Sequence, residues 1–121
     1  MTTEVFFIVM GEPKTKQRPR FSNGHAYTPE ETRVAEQRIK YEYLGKFGIK
    51  KVLGPVQVVL EFYLGTRRVK DLDNLEKLVL DALNGLAYDD DSQVVLKTAS
   101  KHFDKGVAPQ TRILVRGIDE A

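Results

Sequence analysis

Two aspartates separated by one leucine, Asp71 and Asp73, lie in the segment D-L-D-N directly after a basic run. In an extended segment the side chains at positions i and i+2 point to the same side, so these two carboxylates would converge and repel each other. A hard divalent cation removes that repulsion, because Mg²⁺ and Mn²⁺ prefer carboxylate and water oxygens and often bind one or two protein carboxylates plus a substrate phosphate. The spacing therefore suggests a metal site.

A structural explanation of the same residues needs no metal. Asp73 is followed three residues later by Glu76, just ahead of an apolar stripe, which is typical of a helix N-cap with a capping box. A negative charge near a helix N-terminus is also favourable. This explanation covers Asp73 and leaves Asp71 without a role.

Further candidates lie within the predicted helix and after it. Asp91 closes the acidic run D-D-D, but a helix of about a dozen residues is about 18 Å long, so only a particular packing would bring Asp91 beside the first pair. Lys77 follows Asp73 by four residues and shares its helix face, where it forms either a surface ion pair or a cation over a scissile phosphate. Asp81, one turn further on, is expected to have a structural role and could pair with Lys77.

The elements that must position these residues follow from hydrophobic periodicity. Residues 4–10 and 56–64 alternate as strands, and the segments S-Q-V-V-L-K-T-A-S-K-H-F and Q-T-R-I-L-V-R-G-I predict two more. Residues 11–27 predict a long loop. The segment T-P-E-E predicts a helix start with Thr28 as N-cap and Glu31 closing a capping box, and a second helix is predicted over about 73–84. The order β-α-β-α-β-β predicts a single α+β (α/β two-layer) domain over residues 1–121, a mixed sheet with two helices packed on it.

Composition excludes several classes of protein. The 121 residues include no cysteine, so disulfides and thiolate metal sites are excluded, and a cytoplasmic location is expected. No run is long and apolar enough to span a bilayer, and the N-terminus is a poor secretory signal. No phosphate-binding loop or dinucleotide-binding motif is present, so no organic cofactor is expected. The net charge is only +2, so contact with nucleic acid must be argued from where the cations lie.

Two basic runs precede the predicted site in sequence, and either run alone is most simply a solvated surface. The segment K-T-K-Q-R-P-R holds four cations without an acid, and R-R-V-K holds three more directly before D-L-D-N. We expect these side chains to contact a phosphate backbone, which gives affinity and salt dependence rather than sequence reading. They are Lys14, Lys16, Arg18, Arg20, Arg67, Arg68 and Lys70.

The run D-L-D-N-L-E-K-L-V-L-D-A-L-N-G followed by Y-D-D-D-S-Q-V resembles the signature of the RusA-type endonucleases, the small Holliday-junction resolvases of bacteria and their phages. The resemblance implies that Asp71, Asp73 and Asp91 bind the metal, with Asp90 as a supporting acid. It also implies that Lys77 is the catalytic lysine, and that Asn74 positions its neighbours.

The resemblance further implies a Mg²⁺-dependent enzyme, with Mn²⁺ able to substitute, that cuts four-way or branched DNA as a homodimer. The metal would activate a water for attack on the scissile phosphate. Two other functions stay open from sequence: a nuclease of the same build that acts on flaps, other branched nucleic acids or RNA, and a DNA-binding module that has lost catalysis.

Overall fold

The computed structural model describes residues 3–67 and 69–118, in which two helices pack on one face of a four-stranded sheet. The strand order is β1-β6-β4-β5; β1 and β4 both pair antiparallel with β6, and β4 pairs parallel with β5. The α+β mixed sheet with two helices is therefore confirmed. The elements are β1 (Glu4–Met10), β2 (Arg20–Ser22), β3 (His25–Tyr27), α1 (Glu30–Phe47), β4 (Val56–Tyr63), α2 (Leu72–Leu83), a 3₁₀ turn (Asp91–Gln93), β5 (Val94–His102) and β6 (Gln110–Gly117).

Alternation along the central strands explains why the helices cover one face. In β4 every second side chain is buried, and the partly exposed ones point to the other face. The core contains Phe7 of β1, which meets the ring of Tyr43 of α1 edge-on at 5.6 Å. The other face of the sheet carries no helix, and there Phe6, Ile8 and Met10 stay exposed. We call that uncovered surface the open face.

The crossover from β4 through α2 to β5 fixes the direction of the helix that carries the acids. Parallel strands need such a crossover, and α2 runs back against the strands it connects. The N-terminus of α2 thus lies towards the end of β5, where Lys101 Nζ donates to the carbonyl of Lys70 at 2.8 Å. Asp91 comes directly before β5 and so lies towards the opposite, C-terminal part of α2.

The N-cap of α2 differs from the one predicted. Asp71, not Asp73, is the cap: its backbone is extended (φ −70°, ψ 123°), and its carboxylate accepts a hydrogen bond from the backbone N–H of Asp73 at 3.0 Å. Residue 73 is already helical, so the assumption of an extended segment over 71–73 was wrong. The helix ends as predicted, with Asn84 at the C-cap and Gly85 at a positive φ of 77°.

The start of α1 also differs. Pro29 occupies the N-cap, the helix begins at Glu30, and no side chain caps it, so the predicted box between Thr28 and Glu31 does not form. Glu31 instead accepts from the amide of Gln17 at 2.9 Å. The helix continues through Gly45 and ends at Gly48, whose positive φ of 63° suits a residue without a Cβ.

The predicted loop over residues 11–27 contains a short hairpin. Strands β2 and β3 pair antiparallel, and Asn23 and Gly24 between them both have positive φ, of 52° and 77°. Two residues with positive φ are what a two-residue type I′ hairpin turn requires, and Asn-Gly is its preferred sequence. No helix in the described ranges has the length and apolar character needed to cross a membrane.

Candidate active site

A cavity of about 320 Å³ opens between α2 and the start of β5, and we call it the acidic pocket. It unites Asp73, Lys77 and Asp91, which come from two segments predicted separately from sequence. Asp71 does not line it, because its side chain caps the helix. The full set of lining residues is Asp73, Glu76, Lys77, Leu80, Asp81, Asp91 and Lys97.

The adjacent acids Asp90 and Asp91 have different roles at the 3₁₀ turn. Asp90 caps the turn through the backbone N–H of Ser92 at 3.3 Å and also accepts from the Ser92 hydroxyl at 2.5 Å. The hydrogen bond from that hydroxyl lowers the pKa of Asp90. Gln93 completes a capping box and anchors the turn to the carbonyls of Val52 and Gly54. With Asp90 used by the turn, Asp91 is the acid that lines the pocket.

Tyr88 connects Asp91 to the core and was missed by sequence reasoning. Its ring is fully buried, and its hydroxyl donates to Oδ1 of Asp91 at 3.3 Å. Burial, and then the charge and hydrogen bond of Asp91, raise the pKa of Tyr88 well above its ordinary value, so the hydroxyl stays a donor at neutral pH. The only sequence signal was an aromatic residue three positions before Asp91.

Glu76 and Lys97 form a second pair that sequence reasoning did not assign to the site. Glu76 is buried at 8% exposure, and its Oε1 lies 2.6 Å from Lys97 Nζ. The two residues come from α2 and β5, so no spacing along the chain could have indicated the contact.

Lys77 and Asp81 do not form the pair that was considered from sequence. Asp81 instead lies 3.1 Å from Lys16 Nζ, and Lys16 also contacts Glu36 at 2.5 Å. Within residues 3–67 and 69–118, Lys77 forms no ion pair, and its side chain is exposed in the pocket. Asn74 acts through its backbone carbonyl, which accepts from the backbone N–H of Lys16 at 2.9 Å.

The predicted DNA-contacting cations divide into two groups. Lys14, Arg18 and Arg20 are exposed on the loop and hairpin, and the exposed Arg67 lies over the ring of Phe103 at 5.0 Å. Lys16 and Lys70 are largely buried and engaged within the chain: Lys70 Nζ donates to the carbonyl of Pro13 at 2.8 Å and lies 3.3 Å from Glu12. Arg68 lies outside the described residues.

The donor chemistry of the acidic pocket fits a hard divalent cation, because its four acids offer carboxylate oxygens. They are spread along the pocket: Asp73 and Asp81 are eight residues apart on α2, or about 12 Å at 1.5 Å per residue. In this arrangement no three acidic or histidine side chains of the described chain lie close enough together to hold a metal ion. Two carboxylates suffice for Mg²⁺ when substrate phosphate and water supply the other ligands.

A comparison with protein families gives this pocket its context. The family model described as endodeoxyribonuclease RusA matches residues 10–116. The chain belongs to the RusA family. The matched range contains both segments of the acidic pocket, and membership supports a nuclease that acts on DNA. The resemblance found from the D-L-D-N and D-D-D-S-Q-V segments is thereby confirmed.

A relative from Bacillus subtilis (strain 168) extends over nearly the whole of this RusA-family chain. It is named uncharacterized protein YqaN and is 29% identical over 137 aligned positions, which cover 93% of this chain and 95% of the relative.

Proposed function

We propose that this RusA-family chain is a Mg²⁺-dependent endonuclease that resolves four-way DNA junctions by paired phosphodiester nicks in recombination and repair. One observation carries the proposal: Asp73, Lys77 and Asp91 line one open pocket although 13 residues separate the last two (91 − 77 − 1). If these acids served only as helix caps, nothing would require Asp91 and Lys77 to line the same cavity.

The metal, when bound, would lower the pKa of a water molecule and neutralise charge on the phosphate. Asp73 and Asp91 would hold it from the pocket. Asp71, two residues before Asp73, caps α2 outside the pocket lining, and it would contribute as the third acid from that position. Mn²⁺ is expected to substitute, since it shares the preference for oxygen ligands.

Lys77 would act on the phosphate directly. Its ammonium is exposed in the pocket and lacks an ion-pair partner among the described residues, so it is available to stabilise negative charge that develops during cleavage. An ammonium at a leaving oxygen can also assist protonation.

The exposed cations would hold the DNA backbone. Lys14, Arg18, Arg20 and Arg67 are exposed, and the backbone of Lys16, between the first two, is bonded to Asn74 in the first turn of α2. Lys16 and Lys70, which are engaged with acids of the same chain, would serve by fixing the loop that carries the exposed cations. The predicted contact through Arg68 remains a prediction.

The decisive experiment compares neighbouring aspartates of the same acidic run. We expect Asp91→Asn to abolish Mg²⁺-dependent cutting of a synthetic four-way junction, with junction binding retained, and we expect the same of Asp71→Asn and Asp73→Asn. Asp89→Asn is the matched control, because Asp89 pairs with Lys51 at 2.8 Å and does not line the pocket. Cutting by Asp91→Asn at the wild-type rate would refute the proposed site.

The substrates in that assay separate the remaining functions. A four-way junction, a flap, a linear duplex and a structured RNA are cut in parallel with the wild-type protein. Preference for the junction supports resolution, whereas faster cutting of the flap or the RNA would assign the same chemistry to another substrate. Binding without metal-dependent cutting of any of them would identify a module that has lost catalysis.

Paired nicking further predicts a homodimer, since a four-way junction has approximate two-fold symmetry and an isologous dimer presents two identical sites.

We propose the open face as the interface of this homodimer. There Phe6 pairs in register with Leu114, and Leu114 with Val59, so an apolar row crosses three strands. Four strands about 4.8 Å apart and eight residues long offer about 500 Å² per copy, or about 1,000 Å² in total, the lower limit for a stable interface.

A further inference from the structure

The acidic pocket is partly neutralised by a lysine of the same chain, Lys97. Lys97 Nζ lies 2.6 Å from Glu76 Oε1, and both residues line the same cavity as Asp73 and Asp91. The two partners are sheltered to different degrees: the Glu76 side chain is 10% exposed, whereas that of Lys97 is 47% exposed. The carboxylate is therefore fixed inside the protein, and the ammonium reaches it from the mouth of the pocket.

Glu76 depends on this one contact. Its Oε1 is shielded from solvent, and the ammonium of Lys97, 2.6 Å away, is its charge partner among the described residues. A buried carboxylate without a counter-ion is strongly unfavourable. If Lys97 leaves, the buried carboxylate is more stable with another cation in its place.

The side-chain charges around the cavity show how strongly Lys97 reduces its attraction for a divalent cation. Four carboxylates and two ammonium groups line it, so the lining has an excess of negative charge. Asp81 is further neutralised by Lys16 from outside the cavity. Lys97 thus offsets a large part of the negative charge that would attract a divalent cation.

We infer that Lys97 is an internal counter-ion that competes with the divalent metal for the acidic pocket, and that Glu76 is a further carboxylate to which the metal gains access when Lys97 swings away. The inference rests on the proposed function of this pocket and concerns how the pocket is loaded. Lys97 is exposed enough to move outward, where a DNA phosphate is a suitable new partner for its ammonium. Loading of metal and binding of DNA would then favour each other.

The test measures Mn²⁺ binding to the full chain by isothermal titration calorimetry, without DNA. Lys97→Met removes the charge and keeps most of the side-chain volume. We expect it to bind Mn²⁺ about tenfold more tightly than wild type, the effect of removing one charge near a divalent ion in a partly solvated site. Lys101→Met is the matched control, because Lys101 follows on the same face of β5 but donates to the carbonyl of Lys70 outside the pocket. It should bind Mn²⁺ as wild type does.

Three more variants keep the result interpretable. Glu76→Gln should weaken Mn²⁺ binding, and combining it with Lys97→Met should remove most of the gain. Lys97→Arg keeps the charge and should stay near wild type, and circular dichroism verifies the fold of each variant. Equal or weaker Mn²⁺ binding by Lys97→Met would overturn the inference, and so would a gain that persists without the Glu76 carboxylate.

These titrations are independent of cleavage. A chain that shows the expected Mn²⁺ affinities but cuts no DNA would refute the proposed nuclease function and leave the inference standing. A chain that cuts DNA with Mg²⁺ while Lys97→Met binds Mn²⁺ as wild type does would refute the inference alone.

Discussion

The Tyr88 hydroxyl connects the hydrophobic core to the carboxylate of Asp91 by a hydrogen bond. Its ring is buried without exposure, so the position of the oxygen is fixed, and the donated hydrogen bond of 3.3 Å selects one rotamer of the carboxylate. A carboxylate that must meet both a metal and a phosphate benefits from such a restraint, because small displacements of catalytic groups lower the rate strongly. Tyr88 is therefore a positioning residue.

Replacing Tyr88 by Phe tests that role. We expect kcat for junction cutting to fall about tenfold, with KM nearly unchanged and with a loss of about 1 kcal/mol in the free energy of unfolding from the missing hydrogen bond. Single-turnover cleavage and chemical denaturation measure the two effects. Tyr43→Phe is the control: its buried hydroxyl donates to the carbonyl of Lys50, which does not line the pocket, so it should lose stability without losing rate. Wild-type kcat in Tyr88→Phe would exclude positioning through this bond.

The sequence indicated part of the site and not the rest, for reasons visible at single residues. The types and spacing of Asp73 and Lys77 were sufficient to nominate them, because both lie on one face of a single helix. The RusA resemblance was needed to bring Asp91 to the same site. The contacts of Tyr88 with Asp91 and of Glu76 with Lys97 depend on how α2 packs against β5, which no periodicity specifies. The structural role of Asp71 was missed because helix starts are uncertain by a residue or two.

At the scale of elements, the segment before the hairpin contacts both helices through the hydrogen bonds and ion pairs of Lys16 and Gln17. The ammonium of Lys16 lies 2.5 Å from Glu36 of α1 and 3.1 Å from Asp81 of α2, and its backbone N–H donates to Asn74. Thr32, buried in the first turn of α1, accepts from the backbone N–H of Gln17. These contacts explain why a basic segment predicted as a loop has a defined path beside the pocket.

We expect Lys16→Met to lower the free energy of unfolding by about 2 kcal/mol, since it leaves two partly buried carboxylates without their shared partner. Burial alone would lower the pKa of Lys16, but the hydrogen bonds and charges of Glu36 and Asp81 outweigh it and raise the pKa above that of an ordinary lysine. The stabilisation is therefore present below the ordinary lysine pKa and is lost as the pH rises through the raised one.

Urea denaturation of wild type and variant at pH 7 and again above pH 11 measures this dependence. The difference between the two proteins should be largest at pH 7 and should shrink at high pH. Lys14→Met provides the comparison from the same segment, because Lys14 is exposed and should change stability by less than 0.5 kcal/mol in either condition. A difference that grows with pH would contradict an ion-pair origin.

The elements themselves were largely predictable because their signals are local. Alternation in β4 and the apolar stripe of α2 gave the right element types, and Asn84-Gly85 gave the right end of α2. The hairpin of β2 and β3 also had a local signal, the Asn23-Gly24 turn, but its strands are three residues each and fully exposed, so no hydrophobic pattern marked them.

At the scale of the whole molecule, the sheet has one covered and one uncovered side. The helices bury the alternate residues of β1 and β4, whereas the open face exposes Phe6 at 43%, Ile8 at 38% and Met10 at 48%. Apolar rows of this kind on a sheet face are typical of surfaces that meet another protein. Acidic and basic side chains, Glu4 and Glu61 beside Arg116 and Arg112, occur on the same face, so a second copy in the opposite orientation can match unlike charges.

A charge placed in the apolar row should separate the copies and uncouple the two nicks of resolution. We expect the wild-type chain to sediment as a dimer at micromolar concentration and Phe6→Asp to sediment as a monomer. Ile49→Asp introduces the same charge at a residue that is 91% exposed just after α1, which packs on the covered face, and should remain dimeric. With a junction carried on supercoiled plasmid, the monomer should accumulate singly nicked circles, because its two cuts no longer fall within one bound complex. The dimer should instead release linear product.

A Phe6→Asp protein that stays dimeric would show that the interface lies elsewhere. A monomer that still yields linear product at the wild-type rate would show that paired nicking does not need the two-fold arrangement.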